Sequence, residues 1–123
     1  MLSVAILGAS SKPDRYAYLA QKQLMQHGYT VRPISQKESS IMGIPTVKQL
    51  SDIKTPIDTV TVYINPTRLQ SIVNELIALK PRRVIFNPNT ESPDIEKTLT
   101  DNNIHVVEAC TLVLLSTHQF ETV

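Results

Sequence analysis

Gly8-Ala9-Ser10-Ser11, with Lys12 and Arg15 close behind, are the residues of this chain best suited to chemistry, and that chemistry is the holding of a phosphate. They follow the apolar run Val4-Ala5-Ile6-Leu7 and lead through Tyr16-Ala17-Tyr18-Leu19 to Gly28. A glycine and small residues at the end of a buried strand let backbone N–H groups approach an anion, and a helix starting there adds its partial positive charge. The same pattern also occurs as a plain strand-to-helix turn. The second and third glycines of a dinucleotide fingerprint are absent, so the hydroxyls of Ser10 and Ser11 and the charges of Lys12 and Arg15 are expected to compensate.

The next informative residues are Arg32-Pro33-Ile34-Ser35-Gln36-Lys37, where no carboxylate appears before Glu38. A dinucleotide fold places an acid at the end of its second strand to accept the ribose 2′-OH of NAD. Arg32 and Lys37 instead suit a phosphorylated ribose, as in NADP or coenzyme A.

Other reactive types are explained without a reaction. Asn65 and Asn87 each precede a proline and read as caps, a role compatible with ligand contact. Arg68, in a first helical turn, opposes the helix dipole and is therefore a ligand candidate, whereas Glu91 and Asp94 suit helix starts. Arg15 reads as either helix start or ligand, Tyr16 as packing, and Arg82-Arg83 as a solvated pair before a strand. His27 reads as a helix C-terminal residue. His105, Glu108, Cys110 and His118 lack the close repeat of a zinc site, so no metal is expected. No nucleophile with an adjacent base and orienting acid is visible.

The elements that must position these residues alternate. Residues 58–64, 83–87 and 104–107 read as strands after the first two. Leu69, Ile72, Val73, Leu76 and Ile77 form one helical face closed by Lys80-Pro81, and Ser92-Pro93 opens another helix. Ile41 to Pro45 reads as a short extended or turn piece, residues 47–53 as a short helix and Thr111 to Leu115 as a final helix. Such alternation predicts an α/β fold, a three-layer Rossmann-like domain with about five parallel strands and helices on both faces. Ligands of such folds bind beyond the carboxyl ends of the strands, where strand order reverses. The turns gathered there are 8–16, 33–37, 63–68, 87–91 and 108–110.

At 123 residues the chain is expected to be one domain. It has no apolar run of spanning length and no basic leader, and its single Cys110 precludes an internal disulfide, so a soluble, cytoplasmic protein is expected. The net charge of +1 hides an asymmetry: residues 1–51 carry six cations against Asp14 and Glu38, and the remainder is net acidic. Scattered cations and only six aromatic residues argue against nucleic acid and for a small polyanion.

Taken in order, VAILGASSKPDRYAYLA, HGYTVRPI, IMGIPTVKQLSDI, VTVYINP, RRVIFNPNTES and EACTLVLLSTHQF resemble the small Rossmann-type coenzyme A-binding proteins. These are stand-alone relatives of the coenzyme A-binding domain in acyl-CoA synthetase α-subunits such as that of succinyl-CoA synthetase. The resemblance implies that Gly8, Ala9, Ser10 and Ser11 hold the pyrophosphate, with Lys12 and Arg15 near it. It puts Pro33, Ile34 and Ser35 beside the adenosine, Ile64, Asn65 and Pro66 on the opposite wall, and Asn87, Pro88 and Cys110 toward the pantetheine. Asn89 stands where relatives commonly have glycine, and Gln36-Lys37 replaces smaller residues. Cys110 reads as a small buried hydrophobe or as a thiol able to meet the coenzyme thiol. The expected function is binding of coenzyme A or an acyl-CoA by a non-catalytic binding or regulatory module, and a homo-oligomer or protein partner is compatible with it. The alternatives are an NADP-dependent reductase, supported by Arg32 and Lys37, and an interaction subunit with a vestigial cleft that self-associates through Thr111 to Leu115.

Overall fold

A computed structural model describes residues 2–123. Five strands, β1 (Ser3–Leu7), β2 (Thr30–Ile34), β5 (Thr59–Val62), β6 (Arg83–Phe86) and β7 (His105–Glu108), form one sheet in the order β2-β1-β5-β6-β7. Every pairing is parallel, from Val4 beside Val31 and Thr59 to Phe86 beside Glu108. A short antiparallel hairpin, β3 (Ser40–Ile41) with β4 (Ile44–Pro45), stands where an extended piece was expected.

Side-chain alternation divides the core into two layers. Val4 and Ile6 of β1, with Val31 and Ile85, pack against α1 (Tyr16–Gln26) and α5 (Thr111–Ser116) through Ala17, Leu24, Leu114 and Leu115. Ala5 and Leu7, with Val60, Val62, Val84 and Phe86, meet the opposite layer of α2 (Pro66–Gln70), α3 (Val73–Leu79) and α4 (Pro93–Asp101). The three-layer Rossmann-like α/β fold follows from these two buried faces. Among the described residues, no helix is long and apolar enough to cross a membrane.

Proline is tolerated in β2 because this is an edge strand. Pro33 lacks an N–H, yet its carbonyl accepts the Val47 N–H at 3.1 Å, and Val47 in turn accepts the Ser35 N–H at 2.9 Å.

Four local expectations change. The helix after Asn65 is split: Ser71 and Ile72 donate to carbonyls three residues back, Arg68 and Leu69, and Ile72 leaves helical geometry at φ −124°. The expected short helix shrinks to a 3₁₀ turn at Leu50–Asp52. Ser92 starts α4 without using its hydroxyl, and the side chain engaged at this helix start is Glu96, whose carboxylate accepts the Ser92 N–H at 2.9 Å. Arg82 and Arg83 are not a solvated pair: Arg82 pairs with Asp58 at 2.8 Å, while Arg83 is fully buried in β6 and donates to Thr59 Oγ1 and the carbonyls of Phe120 and Val123.

Candidate functional site

β1 and β5 are neighbours whose successors lie on opposite sides, β2 on one and β6 on the other, so the reversal of strand order falls between them. A cleft of about 820 Å³ opens at their carboxyl ends, a size and place usual for a small-molecule site. Gly8 forms its base. This residue has φ +92°, and a Cβ there would lie 2.7 Å from Ile64 Cγ2 and 3.1 Å from the Tyr63 backbone. Only glycine satisfies both the left-handed backbone and the close approach of the β5 end.

Of the expected site residues, Gly8, Ala9, Ser10, Lys12, Arg15, Ile34, Ser35, Lys37, Ile64 and Arg68 line this cleft. Five cations converge there, Lys12, Arg15, Lys37, Lys48 and Arg68, against the carboxylates of Glu38 and Glu75. The turn's amides are partly engaged within the protein. Ala9 N–H donates to Ile34 O at 3.0 Å, Lys12 N–H to Ser10 Oγ at 3.1 Å, and Ser11 N–H to Glu38 Oε2 at 2.9 Å. Hydrogen bonds from Ser11, helped by the Lys12 charge, hold the Glu38 carboxyl below its ordinary range.

Other expected residues lie outside the cleft wall, the exposed Ser11 of the same turn among them. Arg32 sits in mid-β2, short of the strand's carboxyl end, donates to the carbonyl of its neighbour Val31, and does not line the cleft. Pro33 is buried in the same strand. Asn65 caps α2, its Oδ1 accepting the Arg68 N–H at 2.8 Å, with Pro66 in the first turn.

Asn87 is 3% exposed and committed to the fold. Its Nδ2 donates to Thr61 Oγ1 at 2.7 Å and Val62 O at 2.9 Å, and its Oδ1 accepts the Thr111 N–H at 2.9 Å. Pro88 is exposed beside it, outside the cleft. Cys110 precedes α5 as its N-cap and is half-buried, neither an enclosed hydrophobe nor part of the cleft wall. Asn89 does adopt the left-handed backbone, at φ 74°.

Further residues line the cleft, some inside the expected turns and some not. Tyr16, assigned to packing by helical spacing, is 70% exposed at the cleft; Ala17, Ala20, Gln21 and Leu24 are the buried face of α1. Lys48 and Gln49 lie in the quoted IMGIPTVKQLSDI piece but were not singled out, and the pairing of Val47 with β2 brings them to the cleft. Ser71 and Ile72, at the helix break, and Glu75 close the far wall, where Glu75 Oε1 accepts the Ser51 N–H at 3.2 Å. Tyr63 follows β5 in the wall; burial pushes its phenol up to about 12, against the pull of the nearby Thr111 and Thr61 hydroxyls.

Comparison with known proteins agrees with this architecture. A crystal structure of an uncharacterized protein is 42% identical and superposes with a TM-score of 0.92, covering 98% of each chain. The cell-free ID.343 protein of Thermus thermophilus is 31% identical at a TM-score of 0.88, over 97% of this chain and 90% of that one. A dinucleotide-forming acetyl-coenzyme A synthetase of Ca. Korarchaeum cryptofilum shares the fold at 15% identity and a TM-score of 0.74, this chain matching 25% of its length. The uncharacterized protein YneT of Bacillus subtilis is 28% identical over 74 residues, 60% of this chain and 55% of that relative's length. The family model for a CoA binding domain matches residues 2–116. With nearly its whole length matched, the chain belongs to the CoA binding domain family.

Proposed function

We propose that the cleft binds coenzyme A or an acyl-CoA and that the protein is a binding or regulatory module. One observation carries this reading: five cations line a cleft that is built on a glycine turn at the switch point of a parallel sheet. Coenzyme A offers them a pyrophosphate and a ribose phosphate, and cations in a partly enclosed cleft attract such a ligand more strongly than isolated surface charges do. On this reading Ser10, Ser11, Lys12 and Arg15 meet the pyrophosphate. Ile34, Ser35 and Leu50 border the adenosine, Lys37 and Lys48 face the ribose phosphate, and Ile64 and Arg68 form the opposite wall. The family membership supports the same ligand.

Isothermal titration of reduced protein with coenzyme A, 3′-dephospho-coenzyme A and NADPH tests the proposal. Coenzyme A should bind tightest, lose affinity without its 3′-phosphate, and fail to bind Gly8→Glu, whose carboxylate would enter the turn. Melting of that variant separates lost binding from lost folding. Equal affinity for coenzyme A and its dephospho form would refute the assignment of Lys37 and Lys48, and tighter binding of NADPH would overturn the ligand itself.

A further inference from the structure

The turn after β1 already holds an anion. Glu38 lies in the loop after β2, and its carboxylate reaches the Ser11 N–H at 2.9 Å, a contact between segments 27 residues apart. The loop beneath it is anchored: the Glu38 N–H donates to Ser35 Oγ at 3.3 Å, and the Glu38 carbonyl accepts from Thr46 Oγ1. Lys12 and Glu38 both line the cleft, so the carboxylate stands among the cations that would receive a phosphate. A backbone N–H aimed at one acceptor serves a carboxylate oxygen or a phosphoryl oxygen, and the two compete. The other carboxylate of the cleft, Glu75, takes the Ser51 N–H on the far wall, away from the turn.

We infer that Glu38 is an internal competitor for the phosphate turn, an autoinhibitory contact that a ligand must displace from the Ser11 N–H. This rests on reading the turn as a phosphate site, and it adds a consequence. Ligand entry releases the carboxylate from Ser11, giving the Glu38 side chain two arrangements above an anchored loop. Small anions that gain nothing elsewhere in the cleft face the same competitor without compensating contacts, which keeps the empty turn from filling indiscriminately.

The test titrates wild type, Glu38→Ala, Glu38→Gln and, as a control, Glu75→Gln with coenzyme A and separately with inorganic pyrophosphate. The Ser11 amide resonance is followed by NMR in each. Glu38→Ala should bind both probes about fivefold more tightly than wild type, as expected for losing one competing hydrogen bond. Glu38→Gln should fall between, and Glu75→Gln, which removes the cleft's other carboxylate without freeing an amide of the turn, should gain less than Glu38→Gln; an equal gain would reduce the effect to charge and overturn the inference. Pyrophosphate added to wild type should move the Ser11 resonance as it moves in Glu38→Ala. Unchanged or weaker coenzyme A affinity in both Glu38 variants overturns the inference and leaves the coenzyme A reading intact. Tighter pyrophosphate binding in the variants, with no coenzyme A binding to any protein, upholds the inference and refutes that reading. Absence of binding by either probe to every protein overturns both. Glu38→Gln keeps the side chain's length and carries the test if the alanine variant fails to fold.

Discussion

Asn87 shows how one buried amide can join three elements. Its contacts to Thr61, Val62 and Thr111 link β6 to β5 and to the first turn of α5, and Thr61 Oγ1 and Thr111 Oγ1 close the ring at 2.8 Å. A buried polar group left without its partner keeps the cost of its desolvation. Asn87→Ala strands the Thr111 N–H and removes a partner of the Val62 carbonyl. We expect it to lower stability by about 2–3 kcal/mol for the three lost hydrogen bonds, Thr61 Oγ1 keeping its bond to Thr111, read as a reduced urea midpoint with an unchanged slope. A loss below half of the lower figure would mean that water replaces the amide. This residue was legible as a cap but not as a knot, because its partners come from distant stretches. A β-branched run such as Thr59-Val60-Thr61-Val62 does not announce that its threonines form a polar rung.

At the scale of elements, the strands and their order of appearance were readable, since β-branched runs ending in Gly or Asn-Pro carry their own boundaries. The pairing at the sheet's base was not. Arg83 looks from sequence like a surface cation, but its neighbours Thr59 and Phe120 enclose it, and the Phe120 ring lies 4.5 Å from its guanidinium carbon. Burial lowers its pKa, with the Arg82 charge acting in the same direction. Next to it, burial pushes the Asp58 carboxyl up, and hydrogen bonds from Arg82 and Thr59 outweigh that push, leaving its pKa below the ordinary value. A depressed carboxyl contributes stability that is present above its unfolded pKa and is lost as pH falls through the folded one. Wild type should therefore lose melting temperature below about pH 4 more steeply than Asp58→Asn. Parallel curves for the two proteins would show that the Asp58–Arg82 contact is worth little in solution. The broken helix at Ser71-Ile72 escaped prediction for a different reason: its apolar periodicity is unbroken, and the interruption lies in the backbone, in the tightened hydrogen bonds and the non-helical Ile72.

For the whole molecule, the near-neutral total of +1 conceals a cleft in which five cations face two carboxylates. The charge asymmetry was legible, because most of these cations belong to residues 1–51. Their convergence was not, since Lys48 and Arg68 reach the site from separate segments, the stretch after β4 and helix α2. Attraction of this kind is screened over about 10 Å at 0.1 M salt. Coenzyme A affinity should accordingly fall as salt rises, and a Lys37→Ala/Lys48→Ala double variant should bind more weakly with a flatter salt dependence. An equally steep dependence in that variant would move the long-range attraction to Lys12, Arg15 and Arg68. The parallel pairing of β1 with β5, which sets Gly8 against Ile64, also governs when the cleft comes into being. Its two walls lie half a chain apart in sequence, so no early local hairpin or helix can assemble them, and closing that long loop is entropically slow. The binding turn and the finished sheet thus arise in one cooperative event, and a ligand that recognises the turn will act on the folding equilibrium of the entire protein.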